Sequence, residues 1–372
     1  MTENSETPEV SESQIAVHWR EEEYYPPPEK FVAQANANDP AILERFTEDK
    51  FPDCFTEYAD LLTWDKPWDT VLDTSNAPFW KWFVGGKLNA SYNCVDRHAA
   101  ANPDKTAVIW VPELEDDETL HISYGELLRR VNEFAALLSD FAELKTGDRV
   151  TLHMPMVPEA VVTMLACARL GVIHSQVFGG FSGNACGTRI ADSGSRVLIT
   201  MDGYYRAGSM GDHKFKADEA VAEAARQGQE VDKVLVWRRK AGEYQSKSPM
   251  VDGRDFFVND IIGKYAGQEV APVSLNATDS LFLMYTSGTT GRPKGAQHSV
   301  GGYMSYVVGR RSTTRTSTLT TCTGAWPTSA GSPATPTSCT APWRSVPPPS
   351  STRACPTTPT AGGHGASPRS WE

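Results

Sequence analysis

The sequence has none of the long apolar segments that direct a protein into or through a membrane. Its opening, MTENSETPEVSESQ, is acidic and polar, without the basic and apolar regions of an export signal. The longest apolar stretch, from Ala160 to Ile173, is interrupted by Arg169 and is too short to span a bilayer. These absences predict a cytoplasmic protein that does not act in a membrane.

Metal-type spacings of cysteine and histidine are also missing. Of the seven cysteines, the four in the first 310 residues show no C-x-x-C spacing, namely Cys54, Cys94, Cys167 and Cys186. Free thiols in a reducing compartment are therefore expected, and a disulfide framework or metal site is not. His98 and His174 are isolated from metal-spaced partners, so structural roles are expected for both.

Positive charge is scarce in most of the chain. The net charge is −11, although residues 311–372 carry +4, with five arginines, no lysine and Glu372 as their one acidic residue. The first 310 residues must therefore carry −15. Nucleic acids and anionic membranes bind clusters of lysine and arginine, so neither is an expected partner.

Composition divides the chain into four segments. Residues 1–36, rich in Glu, Ser and Pro, are expected to be a flexible leader. Residues 37–95 are rich in aromatic residues, and the spacing from Asp39 to Asp73 predicts helix, with Asp39-Pro40 as a plausible start. Residues 96–310 form the main body, and residues 311–372 form a tail.

The main body alternates between strand and helix patterns. Strand-type runs occur at residues 106–111, 149–154, 172–178, 196–200 and 280–285, and helix patterns occur at residues 123–141, 159–170 and 184–193. Asp148 is expected in a turn and Glu159 at a helix N-terminus. This alternation predicts an α/β fold with a mostly parallel sheet and helices on its faces.

The segment YTSGTTGRPKG, from Tyr285 to Gly295, has the composition of a phosphate-binding loop. It follows the apolar run SLFLMY, and the AQHSVGGY that comes after it is expected to begin a helix. Backbone N–H groups and hydroxyls in such a loop donate to a polyphosphate, and a lysine adds positive charge. The candidate residues are Thr286, Ser287, Gly288, Thr289, Thr290, Gly291 and Lys294. The Walker A pattern is absent, and a flexible surface turn is the alternative interpretation.

This loop resembles the phosphate-loop signature of the acyl-adenylate-forming (AMP-binding) superfamily. Two further segments narrow the resemblance to the acetyl-CoA synthetase family: WFVGGKLNASYNCVDRH, from Trp82, and MPMVPEAVVTMLACARLGVIHSQVFGGFS, from Met154. The aromatic-rich residues 37–95 are similar to the N-terminal extension of that family. The resemblance covers about residues 30–310, and it implies that residues 96–310 are the N-terminal part of the large adenylate-forming domain.

The resemblance also implies a reaction. In that family acetate attacks the α-phosphorus of Mg·ATP, which gives acetyl-adenylate and pyrophosphate, and the thiol of CoA then displaces AMP. ATP, Mg²⁺, CoA and acetate are the implied cofactors and substrates, and the loop would hold the departing phosphates. Gly179, Gly180 and Arg206 are implied at the CoA nucleotide, although a solvated surface arginine is an alternative for Arg206. The family has a second arginine three residues further on, where this chain has Ser209, so weaker CoA binding is expected.

The tail is expected to be disordered and to be encoded out of frame. After Arg310, Leu319 and Val346 are the only aliphatic residues larger than alanine. Codons shifted by one position permit a family-like continuation, DIGWITGHSYIVYGPLALG, over residues 328–346. Because Trp has a single codon, the shifted frame gives alanine after Trp326, and also after Trp343 if Arg344 has a CGN codon; the family pattern has alanine at both positions. The sequence therefore favours a frameshift near residue 310 over a genuine Ser/Thr/Pro-rich tail.

The functional expectation is an AMP-forming acetate–CoA ligase by resemblance. The family's acyl pocket and catalytic lysine lie downstream of residue 310, so no catalytic residue is expected in this frame and the chain as written is expected to be inactive. Two alternatives stay open: a non-catalytic, pseudogene-like fragment, and a related short-chain ligase such as one for propionate.

Overall fold

A computed structural model describes residues 26–33, 40–113, 118–206, 208–239, 246–286 and 293–314. Most of the predicted leader and nearly all of the predicted tail lie outside these residues. Within the described ranges, no helix has the length and apolar character needed to cross a membrane.

The described residues alternate between helices and strands. The helices are α1 (Glu29–Ala33), α2 (Thr56–Ala59), α3 (Arg97–Ala101), α4 (Tyr124–Asp140), α5 (Pro158–Leu170), α6 (Gly183–Ser193), α7 (His213–Arg226), α8 (Val258–Ile261) and α9 (Val300–Thr314). The strands are β1 (Thr70–Asp73), β2 (Lys81–Val84), β3 (Lys87–Leu88), β4 (Thr106–Trp110), β5 (Leu120–Ser123), β6 (Arg149–Met154), β7 (Ile173–Phe178), β8 (Val197–Met201), β9 (Gly203–Arg206), β10 (Ser209–Asp212), β11 (Lys233–Trp237), β12 (Asp255–Phe257), β13 (Leu275–Asn276), β14 (Ser280–Thr286) and β15 (Lys294–Ser299).

A seven-stranded sheet lies at the centre, in the order β12-β11-β8-β6-β7-β14-β15. Every neighbouring pair in it is parallel except β14 and β15, which are antiparallel. This arrangement confirms the predicted α/β fold with a mostly parallel sheet. β4 and β5 form a separate antiparallel pair, so the strand predicted at residues 106–111 forms but lies outside the central sheet.

Apolar strands explain why the sheet is covered on both faces. Successive β8 side chains point to opposite faces, so Leu198 packs in one apolar cluster with Ile190 of α6, while Ile199 packs in another with Phe134 of α4 and Leu165 of α5. Each fully buried side chain of this size stabilises the fold by roughly 2 kcal/mol.

Local signals set the helix ends near the predicted site. Ser182 caps α6 by accepting a hydrogen bond from the Ala185 N–H at 3.2 Å. α5 begins with a proline and is followed by Gly171, which has a φ of +71° that glycine adopts without strain. The predicted helices at residues 159–170 and 184–193 therefore form within one residue of the expected bounds.

Two regions differ from the prediction. Residues 294–299, for which no strand was predicted, form β15, because β14 offers an edge with which this segment pairs. The helix expected to begin in AQHSVGGY does begin there, at Val300. The long helix expected between Asp39 and Asp73 is wrong. That region contains short 3₁₀ turns at Pro40–Phe46, Glu48–Lys50 and Asp53–Phe55, followed by α2 and β1.

Candidate functional site

The parallel strands bring the predicted site residues to one edge of the sheet. β7 follows β6 on one side, whereas β8 lies on the opposite side of β6. At such a reversal a crevice opens outside the carboxyl ends of the strands. Pro155 follows β6 at this edge, and Gly179 follows β7. A Cβ atom on Gly179 would lie 3.0 Å from the Pro155 nitrogen, so the two strand ends are in contact.

The fold places Arg206 against the turn that contains Gly179 and Gly180. Arg206 ends β9, and its backbone pairs with that of Ser209 in the β9–β10 hairpin. Its guanidinium carbon lies 4.7 Å from the centre of the Phe178 ring. A Cβ atom on Gly180 would meet Arg206 Nη1 at 2.0 Å, so the glycine leaves room for the guanidinium. The three residues expected at a CoA nucleotide are therefore adjacent, and their role stays a prediction.

A second cation reaches the same turn from α7. The Lys216 ammonium donates a hydrogen bond to the Gly179 carbonyl oxygen at 3.2 Å. Burial lowers the pKa of Lys216, and the charge of Arg206 lowers it further, while Glu219 opposes the shift. The turn is therefore flanked by two cations that lie close enough to influence each other.

Two buried histidines lie beneath this turn. His153 of β6 and His213 of α7 are fully buried, and their ring centres are 5.0 Å apart. The Cε1 atom of His213 lies 3.1 Å from the position that a Gly179 Cβ would take. Burial lowers the pKa of His153 to about 4 and lowers that of His213 well below its ordinary value. Both rings are therefore neutral near pH 7 and add no charge below the cations.

The predicted phosphate loop connects the two strands of a β-hairpin. β14 ends at Thr286 and β15 begins at Lys294, and these two residues are paired in register. Both are exposed. The remaining predicted loop residues lie outside the described part of the chain: Ser287, Gly288, Thr289, Thr290 and Gly291. The hairpin thus fixes where the loop leaves and re-enters the sheet, at the same carboxyl edge as Gly179.

Helix α6 connects the hairpin to the glycine turn. The Tyr285 hydroxyl donates a hydrogen bond to Asp192 Oδ2 at 2.6 Å, and burial together with that carboxylate raises the pKa of Tyr285. Arg189, one helical turn before Asp192, lies 5.5 Å from the Tyr285 ring centre and 4.8 Å from the Phe181 ring centre. The two candidate subsites are therefore joined by packed side chains of one helix.

Sequence reasoning did not find Arg189, Asp192 or Lys216. The spacing of Arg189 and Asp192 by three residues was a usable signal, because it places both on one helix face. Their partner Tyr285, however, is 93 residues from Asp192 along the chain, and helical periodicity carries no information about such a contact. Lys216 lies in a segment for which no element was predicted.

The main body matches a known family of enzymes. The pattern of the AMP-binding enzyme family matches residues 95–329, well over half of the chain. The pattern of the acetyl-coenzyme A synthetase N-terminus matches residues 42–94. Both matches agree with the resemblance inferred from the loop and from the segments at Trp82 and Met154.

Individual relatives cover much of this chain. An acetyl-coenzyme A synthetase of Mycolicibacterium smegmatis is 45% identical over 281 residues, which are 75% of this chain and 28% of that protein. One from Mycobacterium bovis is 44% identical over 299 residues, which are 80% of this chain and 42% of that protein. A 3-hydroxypropionyl-coenzyme A synthetase of Sulfurisphaera tokodaii is 45% identical over 246 residues, 66% of this chain and 36% of that protein.

The chain spans less than half the length of these relatives. The match to the AMP-binding enzyme family over residues 95–329 nevertheless covers the central sheet, the glycine turn and the hairpin that carries Thr286 and Lys294, and it shows that the chain belongs to that family.

Proposed function

We propose that this chain forms the nucleotide-phosphate and CoA-binding part of an AMP-forming acyl-CoA ligase that acts on acetate. The observation that carries the proposal is the pairing of Thr286 with Lys294 at the end of the β14–β15 hairpin. This pairing presents a hydroxyl and an ammonium group on either side of a loop of glycine and hydroxyl residues, at the carboxyl edge of a parallel sheet.

The proposed chemistry has two steps. An acetate oxygen attacks the α-phosphorus of Mg·ATP, and the bond to the β-phosphate oxygen breaks, so acetyl-adenylate and pyrophosphate form. The thiol sulfur of CoA then attacks the acetyl carbonyl carbon, loses its proton, and AMP leaves. Mg²⁺ enters as part of the ATP substrate.

The proposed role of the hairpin is to stabilise the departing pyrophosphate. The Lys294 ammonium and the Thr286 hydroxyl would bind its oxygens, where negative charge develops in the first step. Because one anion attacks another, neutralisation and alignment supply most of the acceleration. Gly179, Gly180 and Arg206 would bind the nucleotide part of CoA, so that both substrates lie along the same sheet edge.

The acyl group is proposed to be short. Two of the similar proteins described above are acetyl-coenzyme A synthetases, whereas a third, with comparable identity, is a 3-hydroxypropionyl-coenzyme A synthetase. Propionate or another short carboxylate is therefore the second candidate.

We also propose that the 372-residue chain alone does not complete the reaction. Support comes from the codon pattern of residues 328–346, which permits a family-like continuation in another frame. The test measures Mg·ATP and pyrophosphate binding by calorimetry, and acetate-dependent ATP–pyrophosphate exchange, on the whole chain. Binding without exchange is expected. Exchange would contradict the proposed inactivity while supporting the ligase, and absence of both would contradict the phosphate-binding proposal itself.

A further inference from the structure

Two cations approach the glycine turn after β7 from two different elements. Arg206 comes from the end of β9, and Lys216 comes from the first turn of α7. We propose that Lys216 is the second phosphate-binding cation of the CoA subsite, in the absence of an arginine at position 209. This inference rests on the proposed function, and the group it would bind is a phosphate or pyrophosphate of CoA.

Both cations are held in place by contacts to the turn and its surroundings. The guanidinium of Arg206 lies 4.7 Å from the Phe178 ring centre, and the Tyr204 hydroxyl interacts with it. The Lys216 ammonium donates to the Gly179 carbonyl oxygen at 3.2 Å. Gly180, which follows Gly179, is exposed. A ligand phosphate that reaches the exposed face of the turn would therefore meet positive charge from both sides.

The charges of these two residues are not neutralised by ion pairs within the described part of the chain. Neither Arg206 nor Lys216 has a carboxylate oxygen of a described residue within ion-pair distance. Lys214, two residues before Lys216 on α7, behaves differently, because it pairs with Asp218 at 2.6 Å and with Asp255 at 2.9 Å. Helix α7 thus pairs its buried lysine and leaves Lys216 available for an anion.

The proximity of the two charges gives a physical reason to expect an anion. Burial lowers the pKa of Lys216, the charge of Arg206 lowers it further, and the charge of Glu219 compensates only in part. Two like charges at one turn repel each other, and a bound phosphate would convert this repulsion into two charge-assisted hydrogen bonds. The Ser209 hydroxyl, which pairs across the hairpin from Arg206, cannot supply that charge.

A purely structural role for Lys216 makes a different prediction. If its purpose is only to hold the Gly179 carbonyl, a neutral donor could replace it. Lys216→Gln keeps a donor and removes the charge, Lys216→Arg keeps both, and Lys216→Met removes both. Lys264→Met is the matched control, because Lys264 is an exposed lysine on a 3₁₀ turn.

The experiment titrates CoA and, separately, Mg·ATP into the whole chain and each variant by calorimetry, at low and high salt. We expect Lys216→Met and Lys216→Gln to weaken CoA binding roughly tenfold and to reduce its salt dependence. Mg·ATP binding should stay unchanged in both. Lys216→Arg should keep CoA affinity, and the double variant Lys216→Met with Ser209→Arg should regain it.

The outcomes separate this inference from the proposed function. Unchanged CoA affinity in Lys216→Met, or wild-type affinity in Lys216→Gln, would overturn the role of Lys216 alone. If the unaltered chain binds Mg·ATP and no CoA, both the CoA subsite and this inference are wrong. Should Lys216→Met lower the melting temperature, the comparison of the Gln and Arg variants still decides the question, because they differ in charge.

Discussion

The Arg169 guanidinium donates two hydrogen bonds to the Asp96 carboxylate, at 2.8 and 2.9 Å. The side chains are 5% and 16% exposed, and Arg169 also donates to the Val270 carbonyl oxygen. Asp96 precedes α3, and Arg169 belongs to α5, which packs on the central sheet. This bidentate pair therefore fixes the segment before α3 against the body that carries the glycine turn.

Removing the carboxylate should strongly destabilise the fold. Asp96→Ala leaves the Arg169 cation buried without its partner, and we expect a loss of about 3–5 kcal/mol in the free energy of unfolding. The measurement is urea denaturation at neutral pH. Glu57→Gln is the control, because the Arg45–Glu57 pair is 42% and 49% exposed and should contribute at most about 1 kcal/mol. Equal losses in the two variants would contradict the proposed importance of Arg169.

The fold of the main body could be predicted from the sequence because its signals are local. The run RVTLHM becomes β6 at residues 149–154 as expected, and every residue of it after Arg149 is buried, as in a strand that is covered on both faces. The contact between Asp96 and Arg169 could not be predicted in the same way, since the two residues are 73 positions apart. Which charged residues pair across elements depends on the assembled fold. A single sequence, read alone, carries no signal of these pairings.

In the aromatic region before the main body, local sequence signals gave a wrong prediction. Its spacing predicted a helix, but Pro52 and Pro67 interrupt the segment and cannot continue a helical hydrogen-bond pattern. The rings pack on one another instead, with Phe55 and Trp82 at 5.3 Å and Trp64 and Trp68 at 4.9 Å between ring centres. Contacts between aromatic rings, and not a continuous helix, therefore organise this region.

Gly180→Ala should weaken CoA binding and change the free energy of unfolding only slightly. The new Cβ would meet Arg206 Nη1 at 2.0 Å and Phe178 Cε1 at 2.5 Å, and both are ends of half-buried or exposed side chains that can move, so the arginine leaves its position. We expect a several-fold rise in the Kd for CoA and a change of at most about 1 kcal/mol in unfolding free energy. Calorimetry and thermal denaturation measure the two quantities.

Two further glycine variants calibrate that result. A Cβ on Gly183 would meet the Lys216 carbonyl oxygen at 2.5 Å, which is backbone and cannot move freely, so Gly183→Ala should cost about 1–3 kcal/mol. A Cβ on Gly263 would meet nothing within 4 Å, so Gly263→Ala should alter neither quantity. Gly180→Ala with unchanged CoA affinity would show that the position of Arg206 does not matter for binding.

Buried histidines predict a loss of stability in mild acid. Burial lowers the pKa of His153 and of His174 to about 4, from an ordinary value near 6.5. Between these values the unfolded chain binds more protons than the folded chain. The free energy of unfolding is therefore at its full value above about pH 6.5 and falls as the pH drops towards 4, by roughly 3 kcal/mol for each histidine.

The acid sensitivity is tested by urea denaturation of His174→Leu and wild type between pH 7.5 and 4.5. His174 is buried and stacks on Phe282 with 5.6 Å between ring centres, so leucine can fill the space without a titrating group. We expect the variant to lose less stability than wild type as the pH falls. His121→Gln, at an exposed position on β5, should follow the wild-type curve. A variant curve parallel to that of wild type would exclude His174 as a cause.

Lys294→Met should weaken binding of Mg·ATP and of pyrophosphate without unfolding the hairpin. The Lys294 side chain is exposed at the first residue of β15, where its backbone pairs with Thr286, so the strand pairing does not depend on the ammonium group. We expect a roughly tenfold rise in both Kd values, because a charge-assisted contact to phosphate is lost, and an unchanged melting temperature. Lys81→Met, at an exposed position on β2, is the matched loss of charge away from the site and should leave both affinities unaltered. If Lys294→Met and Lys81→Met bind Mg·ATP equally well, the hairpin does not hold the nucleotide phosphates, since a lysine at that position would then contribute no more than any surface charge.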